Sequence, residues 1–97
     1  MDQAEITIFS QISLRIIKEQ ELIIGPIAWQ EAGKVQGLTV NQETGEIQIQ
    51  GDPKDILNRL VAQYSRLFGR VSEQVCKGAV QDLLVELPQD DVPASLK

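Results

Sequence analysis

One thiol, Cys76, and no histidine make up the usual nucleophile and base inventory of this chain. Cys76 falls near the start of a helix-patterned run, with Lys77 beside it and Arg70 six residues before. A helix N-terminus and nearby cations favour a thiolate, the form that attacks electrophiles. The same residue belongs to an apolar series with Val75, Ala79 and Val80, and cysteine is among the most buried residue types. Packing therefore explains Cys76 better than reactivity does. Without histidine the chain lacks the commonest general base near neutral pH and the commonest nitrogen ligand for zinc.

The carboxylates give no better site. Asp52 and Asp55 are three residues apart, but they flank Pro53 where a helix should start, and capping accounts for both. Glu19 and Glu21 are two apart and do not share a helix face. Glu43, Glu46 and Asp52 surround a turn without the dense oxygen spacing of a calcium loop. Asp90 and Asp91 lie in a segment with no scaffold to hold them in reacting geometry. The seven glycines form neither GxGxxG nor GxxxxGK[ST]. We expect no catalytic residue, metal or cofactor, and a protein that is not an enzyme.

Binding candidates are easier to name. Trp29 sits in a short helical segment off its apparent apolar edge, and tryptophan is over-represented among binding hot spots. Between Lys54 and Lys77 the chain carries five bases and only Asp55 and Glu73 as acids. Arg59, Arg66 and Arg70 form the basic side of that stretch; Arg66 and Arg70 share a face only if the helix persists through Gly69. Gly78 interrupts a strongly periodic helix at a cost of roughly 1 kcal/mol, tolerable where another backbone approaches closely or where nothing is gained. The chain as a whole carries a net charge of −5, which opposes a phosphate-rich partner, so a protein is expected rather than a nucleic acid.

These residues must be positioned by elements read from periodicity. Ile6, Ile8 and Phe9 suggest a short strand from Glu5 to Phe9 or an arm over residues 1–10. A helix is expected from Ser13 to Ile24, punctuated by Gly25-Pro26, then a short helix from Pro26 to Val35 with Ile27, Glu31 and Val35 on one edge. Leu38-Thr39-Val40-Asn41 and Glu46-Ile47-Gln48-Ile49-Gln50 alternate. Opposing Val40 to Ile47 puts Leu38 against Ile49 and all four apolar side chains on one face of a hairpin. Asp52-Pro53 opens a helix running to Phe68 with Ile56, Leu57, Leu60, Val61, Tyr64, Leu67 and Phe68 as its stripe. Ser72 should cap a last helix from Glu73 to Leu84 or Leu87, stopped by Pro88. The remainder, residues 89–97, reads as a flexible acidic tail.

The fold class expected is α+β: a small helix-rich domain over residues 1–88, with a central β-hairpin covered by amphipathic helices. Its sheet would be completed by the N-terminal strand or by dimerisation. A chain of 97 residues supports one modest core, and the apolar stripes exceed what that core readily consumes. The expected function is a protein-interaction or regulatory module, homodimeric. An assembly subunit of a larger hetero-complex is the alternative, and a small-molecule sensor or enzyme with a pocket between hairpin and helices ranks below both. A single cysteine, no signal-like start and no long apolar run give a cytoplasmic expectation without a transmembrane segment.

Overall fold

The computed structural model describes the chain over residues 3–97, with side chains from residue 6 onward. In order, the elements are α1 (Gln3–Ile24), α2 (Ile27–Ala32), β1 (Leu38–Asn41), β2 (Glu46–Ile49), α3 (Pro53–Phe68), α4 (Arg70–Ala79) and α5 (Gln81–Leu84). Two 3-10 turns, Gln89–Asp91 and Ala94–Leu96, follow. The fold is α+β, a two-stranded antiparallel hairpin flanked by helices.

The hairpin forms as alternation requires. Leu38 pairs with Ile49 and Val40 with Ile47, and this apolar face lies against α1 and α2. Asn41 sets the turn: its side-chain oxygen accepts from the backbone N–H of Glu43 at 3.0 Å and of Thr44 at 3.3 Å. Gly45 then takes a φ of 73°, which a side chain would resist. The start of α3 is equally local. Asp52 accepts from the N–H of Lys54 at 3.1 Å, and Pro53 occupies the first helical position.

The opening segment corrects the sequence expectation. Neither strand nor arm forms between Glu5 and Phe9; α1 continues through this stretch to Gln3, and residues 1–2 of the expected arm lie outside the described residues. Phe9, Ile12, Ser13, Ile16, Ile17 and Gln20 are all buried, at the spacing of one helical face. Each large apolar side chain so buried contributes roughly 1.5–3 kcal/mol, which outweighs the small β preference of Ile6, Thr7 and Ile8. This helix is the hub of the domain: it packs against α2, α3, α4, α5 and β2. The sheet therefore has no third strand among the described residues.

The last helix also differs from expectation. Ser72 does not cap it; α4 starts at Arg70, directly after Gly69 at φ 86°, and Ser72 is buried within its first turns. The run breaks at Val80, so α4 and α5 are separate pieces. Arg15 explains how the break is held. Its guanidinium donates to the carbonyl of Ala79 at 3.1 Å and meets Asp82 at 3.0 Å, satisfying a carbonyl the helix leaves free.

Residues 89–97, which composition marks as a fraying tail, dock instead. Val92, Pro93 and Leu96 are buried, and the second 3-10 turn lies on α3 and α4. The side-chain oxygen of Asn58 accepts from both the N–H of Ser95 at 3.0 Å and its hydroxyl at 2.7 Å. Lys54 donates to the carbonyl of Asp90. Three buried apolar residues in nine are enough for docking once α3 offers a complementary face.

Candidate functional site

The chemically capable residues are occupied structurally. Cys76 is fully buried, and that burial pushes its thiol up to about 11 despite a contact from the side-chain amide of Gln20 at 3.4 Å. At neutral pH it is a protonated packing group. Asp52 caps α3, and Asp55 pairs with Arg59 at 3.5 Å one turn on. Among the described residues no three His, Cys, Asp or Glu side chains gather closely enough to hold a metal ion. Nor, among them, is any helix long and apolar enough to cross a membrane.

Trp29 also departs from expectation. It is 5% exposed, part of the hydrophobic core, and is no surface anchor. The segment carrying it is only six residues long and is enclosed on more than one side, so an apolar-edge argument misjudges it. Its neighbour Ala28 receives the hydroxyl of Tyr64 on its carbonyl at 2.6 Å, which ties α2 to the end of α3. Gly78 is exposed, with nothing within 4 Å of where a Cβ would stand, so no backbone of this chain approaches it.

Two surfaces remain. The first is apolar. Leu22, Ile23, Ile27, Leu67, Phe68 and Val71 are all exposed, Leu22 to 80% and Val71 to 71%. They come from two short stretches that the fold brings to one end of the molecule. The side-chain amide of Gln20 donates to the carbonyl of Ser72 at 3.0 Å, joining the last turns of α1 to the first turn of α4. The Tyr64–Ala28 bond joins the end of α3 to α2, and Gly25 links α1 to α2. Added residue by residue, the six expose roughly 600 Å², an area comparable with the largest apolar patch of a typical monomer where they adjoin. Arg66, Arg70, Glu21 and Glu73 lie in the same helical turns, so the rim carries both signs of charge.

The second is a basic furrow along the outer side of α3. Arg59 and Arg66 line a hollow of about 290 Å³ together with Lys34 and Gln36, which precede β1. Arg70 lies across the Gly69 break and takes no part, so the sequence grouping of three arginines divides. A hydrogen-bonded chain orders the furrow. Lys34 pairs with Glu31 at 3.0 Å, Glu31 accepts from the amide of Gln63 at 2.8 Å, and the Gln63 oxygen accepts from Arg66 at 2.7 Å. Glu31 is 6% exposed, and the bonds from Lys34 and then Gln63 hold its carboxyl below the ordinary carboxylate value. Lys34, Glu31 and Gln63 escaped the sequence reading. The available signal was Glu31 itself, an acid on the same edge as Ile27 and Val35.

A larger hollow, about 560 Å³, lies between α5 and the docked tail. Leu84, Val85, Leu87, Val92 and Leu96 make its lining mainly apolar, and Lys97 is the one charged group there. It offers no acid–base pair. No family model, curated protein or solved structure matches the chain.

Proposed function

We propose that this chain is a protein-interaction module that associates with a second copy of itself through the apolar end formed by α1, α2, α3 and α4. The observation that carries the reading is that Leu22, Ile23, Ile27, Leu67, Phe68 and Val71 are all exposed on two stretches that the Gln20–Ser72 and Tyr64–Ala28 bonds hold beside each other. Scattered exposed apolar residues need no explanation, but a gathered set of this size does. Roughly 600 Å² per copy approaches the ~800 Å² per partner of a standard interface once rim groups are added. A two-fold arrangement suits the rim, because Arg70 of one copy can face Glu21 or Glu73 of the other. The role is non-enzymatic, and a reducing, cytoplasmic setting belongs to the same reading, supported by the single buried thiol of Cys76.

Sedimentation equilibrium over a wide concentration range tests it, with Leu22→Glu/Leu67→Glu as the variant. Both side chains are exposed, so the monomer should fold unchanged by circular dichroism. We expect a dimer for the parent chain and a dissociation constant about a hundredfold weaker, or more, for the variant. A parent chain that stays a monodisperse monomer overturns the proposal.

A further inference from the structure

We infer that the furrow along α3 is a docking site for an extended acidic peptide, with carboxylates seated on Arg59 and Arg66. This inference is independent of self-association at the apolar end.

Shape is the first argument. The hollow lined by Lys34, Arg59 and Arg66 does not stand alone. A second hollow of about 250 Å³, lined by Gly37, Gln50, Gly51 and Asp52 among others, shares both Gln36 and Arg59 with it. The two join into one elongated trough between α3 and the base of the hairpin. A trough of that form suits a segment of chain rather than a compact ion.

Charge is the second. In a chain of net −5, one end of this trough gathers Lys34, Arg59 and Arg66, while the nearby acid Glu31 is buried, its charge offset by Lys34 and its second oxygen accepting from the amide of Gln63. The Lys34–Glu31–Gln63–Arg66 chain holds Lys34 and Arg66 in place before any ligand arrives, which lowers the ordering cost of binding; Arg59 is paired with Asp55 at 3.5 Å on the exposed surface, and an incoming carboxylate takes over that pairing. Arginine forks match carboxylates in a bidentate way. The other end of the trough presents Asp52 and Asp55. A uniformly charged polyanion would be repelled there, so a peptide with acids at one end fits and a nucleic acid does not.

Spacing is the third. Arg59 and Arg66 are seven residues apart on one helix, so their Cα atoms stand roughly 10 Å apart along its axis. A polyproline II segment repeats every three residues with a rise of about 3.1 Å each, so same-edge carboxylates recur every ~9 Å.

The test is a two-dimensional amide NMR titration with acetyl-Glu-Pro-Pro-Glu-Pro-Pro-Thr-Lys, its Gln-for-Glu counterpart and an oligo-thymidine strand. We expect shifts confined to residues 31–37, 50–56 and 59–66 on addition of the acidic peptide, and none with the Gln counterpart. Arg59→Gln/Arg66→Gln should weaken binding about tenfold or more, and Lys34→Gln by a smaller factor. Lys18→Gln/Lys97→Gln, which removes the same charge elsewhere, should bind as the parent does. Absence of shifts at millimolar peptide, shifts centred elsewhere, equal loss in the Lys18/Lys97 variant, or tighter binding of the oligonucleotide to the furrow would each overturn the inference.

Discussion

The last turns of α3 carry two faces, one apolar and one polar, that differ in almost every physical respect. On the apolar face, Leu67 and Phe68 are exposed apolar side chains without a hydrogen-bonding role. On the polar face, Arg66 and Gln63 belong to a bonded chain that reaches Lys34 through a buried carboxylate. The first surface gains by shedding water and is indifferent to geometry and little affected by salt. The second gains by charge and direction and weakens as ions screen it. A single helix can therefore serve two partners that do not compete in kind. Raising the salt concentration should leave dimerisation intact while releasing the acidic peptide; parallel loss of both would break the distinction.

The largest effect on folding should come from Gly37, beneath the furrow. Its φ is 89°, and a Cβ there would stand 2.7 Å from the carbonyl oxygen of Gln50 and 2.9 Å from a methyl of Ile56. Gly37→Ala is expected to cost on the order of 2–4 kcal/mol, from left-handed strain plus a clash with backbone that cannot move aside. Urea unfolding measures it. If the loss is below about 1 kcal/mol, the floor of the furrow yields more easily than its contacts imply.

Tyr64 lies beneath the apolar end, and its effect should be smaller. Tyr64→Phe removes the 2.6 Å bond to the carbonyl of Ala28 and should cost about 1–2 kcal/mol. Because the ring remains, the apolar end keeps its shape, and the dimer constant should change little in sedimentation. A large rise in that constant without unfolding would mean the bond positions Ile27 and its neighbours.

The gentlest test is acid. The Glu31 carboxyl is held below its ordinary value of 4.5 in the folded chain. Its stabilising share is present above 4.5 and is lost as pH falls through the lowered value, since the unfolded chain then binds the proton more readily. The stability difference between the parent and Glu31→Gln should therefore shrink as pH drops from about 6 to about 3. A difference that holds constant across that range would show that the buried carboxylate does not order the furrow.

Part of the site was legible in the residues. Arg59 and Arg66 stand out as bases in a stretch with few acids, and the structure does bring them into one furrow. Their third partner, Lys34, comes from the connection between α2 and β1 and is placed by packing of α2 against α3. The apolar end was legible only as an excess. Leu67 and Phe68 continue the stripe of α3, but whether a sixth or seventh apolar residue finds cover depends on where neighbouring helices stop.

Local chemistry was sufficient wherever the deciding interaction spans a few residues. Strict alternation with one apolar face determined the hairpin register, because a slip by one residue would turn one strand's apolar pair, Leu38 and Val40 or Ile47 and Ile49, to the opposite face. Asp52-Pro53 determined the start of α3, and Gly25 and Gly69, both at positive φ, determined where α1 and α3 turn. Tertiary structure alone decided the helical state of the segment from Ile6 to Phe9, the inward placement of Trp29, the early end of α4 under Arg15 and the docking of residues 89–97. In each of those the local preference is worth tenths of a kcal/mol, and the surface buried against a distant element is worth several times more.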